Sequence, residues 1–351
     1  MKRPCGTFDT DYGQDMAIAR TRFQWIVGIV AALIFFVVMP FFTSTDMLSK
    51  INIIGIAIIA ALGLNILTGY CGQLNFGHSG FIAVGAYITG ILITHLGWNW
   101  WATVPVAALG TALIGLIFGL PSLRIKGFYI AVTTLAAFYI IMFIIIRSEN
   151  LTGGIYGLNI GTVQLGNIIF DNEQKFFYLI MFFLVLLTFF AKNIVRGRIG
   201  RAFIAIRDND LAAELMGINI FKYKLLAFAI CSAYAGIAGS LFAAYYGYIS
   251  AEQFTFRESI WYIGYIIVGG MGTIAGTFFG VIFLKVLESI VTGFAPDLSS
   301  LLPVLGSQLI SGLMIIMFSI VVILFLIFEP RGLYHRWELA KTTIRLWPFL
   351  Y

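Results

Sequence analysis

The chain has 351 residues, 60% of them hydrophobic and 11% charged, with 22 Lys+Arg against 16 Asp+Glu and a mean hydropathy of +0.95. So few polar groups cannot cover a soluble fold of this size, which excludes soluble enzymes and disordered chains and turns most of the exterior toward lipid. The net charge of +6 does not indicate nucleic acid, because the basic residues fall in short loops between apolar segments.

In chain order, a polar head over residues 1–24 precedes about ten stretches long enough to cross the ~30 Å hydrocarbon layer. They are Trp25 to Phe42, Ile51 to Thr68, Ser79 to Leu96, Trp101 to Leu120, Phe128 to Ile146, Phe176 to Ala191, Lys224 to Gly247, Ile274 to Thr292 and Gln308 to Phe328, with a shorter, Gly-interrupted Ser259 to Met271. No small-residue cleavage site follows Pro40, so the first is read as a retained span. The expected fold is all-α and polytopic, with about 8–10 transmembrane helices and Gly-broken or re-entrant segments. Residues 25–328 form the membrane domain, 192–224 a cytoplasmic loop within it, and 329–351 a cytoplasmic tail. With ten spans, 17 of the 22 Lys+Arg fall on the side of the termini and four opposite, with Lys285 inside a span. The positive-inside rule then places both termini in the cytoplasm.

The outer loop Glu149 to Lys175 combines glycine-rich turn chemistry with an alternating apolar run near Thr162 to Phe170; it either caps the outer face or simply joins two helix ends.

Catalytic and metal-binding signatures are missing. Cys5, Cys71 and Cys231 have no metal-ligand spacing, the three histidines form no HExxH, and there is no GxSxG. A P-loop requires Gly-Lys-Ser/Thr, whereas the one Lys followed by Thr, Lys341, comes after Ala340. Any nucleotide energy must therefore come from another polypeptide, and no catalytic residue or bound cofactor is assigned to this chain.

Three segments stand out. Gly69-Tyr-Cys-Gly-Gln-Leu-Asn-Phe-Gly-His-Ser-Gly80 carries no formal charge between two apolar spans. It reads as broken backbone buried in protein or lining a wet cavity, with Gln73, Asn75 and His78 either lining a path or bracing freed helix ends. In Gly269-Gly-Met-Gly-Thr-Ile-Ala-Gly-Thr-Phe-Phe-Gly280, the spacing predicts Gly272, Gly276 and Gly280 on one helical face for close packing. Lys285 and Glu288 follow at i, i+3 and can neutralise each other within the span. In the 192–224 loop, Asp208 or Asp210 can cap a short amphipathic helix that shares Leu211 and Leu215 on one face and stops at Gly217. Its leucines suit either the headgroup layer or a groove on a soluble partner.

Tyr70-x-Gly-Gln-Leu-x-x-Gly-His-x-x-Phe81, Thr152-Gly-Gly-x-x-Gly-Leu158, Ala205-Ile-Arg-Asp-Asn-Asp-x-Ala-Ala213 with Gly217, Lys224-x-x-Ala-Phe228, Ala235-Gly-x-Ala-Gly239, Gly269-Gly-x-Gly272 and Glu329-Pro-Arg-Gly-Leu333 occur in this order. Together they resemble the LivM-type permease subunit of branched-chain amino acid ABC importers, over roughly Ile51 to Leu333. The chain departs from that pattern at Ser250-Ala-Glu-Gln253, where a Pro is expected. The resemblance implies a second, related permease, two ATPase subunits that use the ATP, an extracytoplasmic binding protein that delivers the cargo, and a bacterial or archaeal cell (inner) membrane. It also implies an ATPase-coupling role for Arg207, Asp208, Asp210, Leu211, Glu214, Leu215 and Gly217. Similar permeases import urea or short amides, which Gln73, Asn75 and His78 could equally bind. An ion-coupled secondary transporter is disfavoured, since no span but Ile274 to Thr292 has a charge in its interior.

Overall fold

In lipid every backbone N–H and C=O must be satisfied within the protein, so long apolar runs form helices and any break must be buried. The computed structural model describes Ile26, Phe36 and residues 39–123, 129–165, 168–293 and 306–346. Most of the Trp25 to Phe42 stretch, Cys5, Arg124 and Lys126 lie outside them. The fold is helical: α1 (Thr45–Leu64), α2 (His78–Leu96), α3 (Trp100–Leu123), α4 (Tyr129–Arg147), α5 (Glu173–Arg196), α6 (Arg198–Asp208), α7 (Asp210–Leu215), α8 (Ile220–Tyr246), α9 (Phe256–Gly269), α10 (Ile274–Gly293), α11 (Gly306–Phe328) and α12 (Gly332–Leu346). Among the described residues seven helices are long and apolar enough to span a membrane, or eight if α11 and α12, bent by 48°, form one span. The chain is thus a multi-pass membrane protein. The 329–351 stretch, expected as a tail, contains α12, which packs on α10 and α9.

α1 continues through a π-helical turn, Asn65–Tyr70, giving 26 unbroken residues, or ~39 Å. Gly72, at φ +74°, then reverses the chain. Residues 71–77 run back along α1, for His78 Nε2 reaches the Ala60 carbonyl at 3.0 Å, ten residues and ~15 Å before that helix ends. α2 therefore starts inside the protein. A second break follows α8, where Ser250 and Gln253 cap each other around a short 3-10 turn, at the position where the resemblance expects Pro. α9 is 14 residues, ~21 Å, and too short to span. It starts beside α2: Ser79 N donates to Ser259 Oγ at 3.0 Å, the two hydroxyls lie 2.8 Å apart, and Ser79 Oγ donates to the Thr255 carbonyl.

From that shared buried point α2 runs toward a cap and α9 toward the opposite face. The 149–175 segment is this cap, joined to the chain after α8. Strand β1 (Leu158–Asn159) pairs antiparallel with β4 (Tyr248–Ile249), and β2 (Gln164–Leu165) with β3 (Ile168–Ile169). His95 Nε2 meets the Leu151 carbonyl at 3.2 Å, and the Tyr248 hydroxyl donates to the Tyr156 carbonyl at 2.6 Å.

The core gathers around α1, α2 and α8, while α3, α4 and α5 turn apolar side chains such as Leu113, Phe143 and Phe189 outward. Small residues on α8 set its distances. A Cβ on Gly239 would lie 2.1 Å from the Ile82 carbonyl oxygen, and one on Gly85 would lie 2.4 Å from that of Gly236. Both obstacles are backbone, so no rotamer change relieves them. Gly239→Ala is therefore expected to destabilise the fold by ~1–3 kcal/mol, as overpacking does. Thermal unfolding in detergent checks this, and an unchanged Tm would show the α2–α8 approach to be slack.

Candidate functional site

Among the described residues, Gln73, Asn75 and His78 lie at the break before α2, and Arg207 to Gly217 on the face where α6 and α7 lie.

At the break Gln73, Asn75 and His78 are all buried. Asn75 Oδ1 accepts from Gly77 N at 2.9 Å, shaping the turn into α2. A carbonyl oxygen only accepts, so His78 Nε2 carries the proton given to Ala60. Its Nδ1 is left to face Cys231 Sγ at 3.7 Å, and the ring meets Tyr262 edge-on with centroids 5.3 Å apart. Asn75 Nδ2 is buried without a hydrogen-bond partner among the described residues, and Gln73, whose backbone is tied to Thr68 and Leu67, has both side-chain polar atoms so placed.

At the other face three glycine turns interlock around Arg207. Arg207 Nη1 donates to the Gly69 carbonyl at 3.0 Å, and its Nε and Nη2 donate to Asp208 Oδ1. Neighbouring glycines leave it room. A Cβ on Gly72 would lie 3.0 Å from Arg207 Cγ, and one on Gly272 would lie 2.9 Å from Nη1. Asn65 clamps two of the turns: its Nδ2 donates to the Thr273 carbonyl and to Thr277 Oγ1, and its Oδ1 accepts from Gly272 N at 3.0 Å. The third turn precedes α12, where a Cβ on Gly332 would lie 2.5 Å from Gly270 N. Glu329 pairs with Arg336 just beyond. A cavity of about 600 Å³ lies between these turns, lined by Arg207, Thr68, Thr273 and Tyr334 among others.

The structure alters three expectations here. Gly272 precedes α10 with φ +75°, so it serves a turn rather than the packing face; Gly276 and Gly280 alone line that face. Added Cβ atoms there would meet the Gly269 and Tyr265 carbonyl oxygens at 2.7 and 1.9 Å. The single short helix of the 192–224 loop is two helices, α6 and α7, with α5 running on to Arg196. The cap of α7 is Asn209, whose Oδ1 accepts from Ala212 N at 3.0 Å, not Asp208 or Asp210, because the chain is extended at Asn209 and already helical on both sides. Gly217 does stop the helix, at φ +83°, with Ile218 N bonded back to the Ala213 carbonyl.

α7 buries Ala213 and projects Leu211, Leu215 and Met216, which are 62%, 88% and 84% exposed. Asp208, Asp210 and Glu214 are neighbours of this apolar tip in sequence, and Lys224 lines a groove with Asp210, Leu211 and Glu214. Lys285 and Glu288 do pair, Nζ to Oε2 at 2.9 Å. Among the described residues no three His, Cys, Asp or Glu side chains gather in a metal-binding group.

Sequence reasoning missed Asn65, Ser79 and Ser259. The signal was present for Asn65, an amide within an apolar run, which lipid tolerates only when partnered.

Residues 46–319 match the family model described as "Branched-chain amino acid transport system / permease component". The high-affinity branched-chain amino acid transport system permease protein LivM of Escherichia coli is 32% identical over 87% of this chain and 74% of its own length. The probable branched-chain amino acid transport permease protein LivM of Methanocaldococcus jannaschii is 26% identical over 83% and 94%. The autoinducer 2 import system permease protein LsrC of Salmonella typhimurium is 29% identical over 54% and 55%. No solved structure matches the chain.

Proposed function

The chain belongs to the family of branched-chain amino acid transport system permease components, and from that premise we propose that it is the membrane subunit of an ATP-binding cassette importer for branched-chain amino acids. In this reading it works with a second, related permease, two ATPase subunits and an extracytoplasmic binding protein. It binds no cofactor itself, and both termini and α7 face the cytoplasm.

The observation that carries the coupling role is the exposed Leu211, Leu215 and Met216 tip beside an arginine bonded to the end of α1. The carboxylates of Asp208, Asp210 and Glu214 repel anionic headgroups, which disfavours membrane docking and favours a groove with basic edges on an ATPase. Closure of the ATPases would move α7 and α6. Arg207 would pass that motion to the Gly69 and Gly272 turns, and so to α1 and α9, switching access between the two faces. At the break, Asn75 and His78 brace the backbone, while the unpaired amide of Gln73 is the group of the three assigned to the path.

Purification from native membrane tests the reading. Recovery with two ATPase subunits and a second permease, and leucine uptake that requires both ATP and the binding protein, is the expected result. A chain that purifies alone and moves solute without ATP would overturn it, and uptake of urea in place of leucine would reassign the cargo.

A further inference from the structure

Beyond the break, α1, α2, α8, α9 and α10 enclose a cavity of about 290 Å³, room for one small solute. Its polar lining is Glu258 in the first turn of α9, Lys285 on α10, Tyr246, Tyr262, Ser79 and Gln253; Ile53, Ile56 and Phe254 are part of its apolar wall. The two charges differ in how they are held. Glu288 anchors Lys285 at 2.9 Å, which fixes the ammonium at the wall. Glu258, one residue from the Ser79–Ser259 contact, makes no ion pair and no side-chain hydrogen bond among the described residues; Lys285, which shares the cavity, and Arg257, next in sequence, are the cations whose charge reaches it. A carboxylate that no cation hydrogen-bonds is costly inside a membrane domain, and such residues mark solute pathways.

The pair of charges restricts what can complement the site. A simple cation at Glu258 meets the Lys285 ammonium across the cavity, and a simple anion at Lys285 meets the carboxylates of Glu258 and Glu288. A neutral amide leaves the Glu258 charge uncompensated. A solute carrying both an ammonium and a carboxylate answers both.

We propose that this cavity is a transport subsite for an α-amino acid zwitterion, with the ammonium at Glu258, the carboxylate toward Lys285 and an aliphatic side chain against Ile53, Ile56 and Phe254. The proposal rests on the importer reading and deepens it by placing the cargo. It also connects the two breaks, since Ser79 lines the cavity and His78 packs on Tyr262, another lining residue.

The test uses the complete transporter in proteoliposomes, supplied with leucine-loaded binding protein, and counts radiolabelled leucine moved per ATP hydrolysed. Glu258→Gln and Lys285→Gln are each expected to lower that ratio about tenfold, the loss of one charge-assisted contact, while subunit stoichiometry and ATP hydrolysis persist. Glu258→Asp, which keeps the charge, is expected to restore part of it; a purely packing role would give no such rescue. A wild-type ratio in either assembled Gln variant overturns the subsite and leaves the importer reading standing. Failure of both variants to assemble assigns the charges to folding and overturns it too. Absence of leucine uptake by the unsubstituted transporter strikes the importer reading itself.

Discussion

Leu211→Asp combined with Leu215→Asp is expected to reduce ATP-driven leucine uptake by about thirtyfold or more and to release the ATPase subunits during purification. One buried apolar hot-spot anchor at a protein interface typically contributes ~2 kcal/mol or more, about thirtyfold, which sets the lower bound for the pair. The membrane body should be untouched. Leu211 and Leu215 are exposed, and the structural contact of α7 is made by Ala213 instead. Its cap, Asn209, and its stop, Gly217, are also outside the substitution. Adding carboxylates to a tip already flanked by three acidic residues further disfavours any lipid contact. Unchanged thermal unfolding together with lost co-purification is the expected pair of results. Full uptake by the double variant would remove α7 from the coupling route.

How much of this was legible beforehand depended on the physics of each feature. Span-length apolar runs are set by the bilayer, so the helices from Thr45 to Tyr246 follow the sequence closely. The glycine-rich loop before His78 was readable as broken backbone because charge is missing where solvent would require it. The half-length of α9 was suggested by its short apolar run and by Gly269 to Gly272, but its starting point was not. That point is set by Ser79 and Ser259, residues 180 positions apart whose pairing has no local signature. The same holds for Arg207. Its place in a charged loop was plain, whereas its reach into the Gly69 turn depends on helices that meet only in the folded chain. The periodicity of Gly272, Gly276 and Gly280 misled at one position, because a spacing of four is also met when a turn glycine happens to precede a helix. The choice among Asp208, Asn209 and Asp210 as cap was lost to adjacency, since all three side chains can cap and only backbone geometry selects one.

Arg207→Ala separates docking from transmission. It leaves the α7 tip and its cap in place, so the ATPase subunits should remain bound and continue to hydrolyse ATP. What is lost is the bond from Nη1 to the Gly69 carbonyl, the described hydrogen bond from α6 to the glycine turn that ends α1. Coupling between distant sites is typically worth 1–3 kcal/mol, so leucine moved per ATP is expected to fall somewhere between ~5-fold and ~150-fold. The Arg207–Asp208 pair is not the source of that loss. Its side chains are 37% and 62% exposed, and ion pairs in such settings contribute ~0–1 kcal/mol. Arg207→Lys is expected to fall between, because an ammonium keeps the charge but lacks the planar fork that serves Gly69 and Asp208 together. An Arg207→Ala transporter with an unaltered ratio of leucine to ATP would mean that the motion reaches α1 by another contact. Asn65 would then become the point to test, since it ties the same helix to Gly272 and Thr273 without any help from the loop.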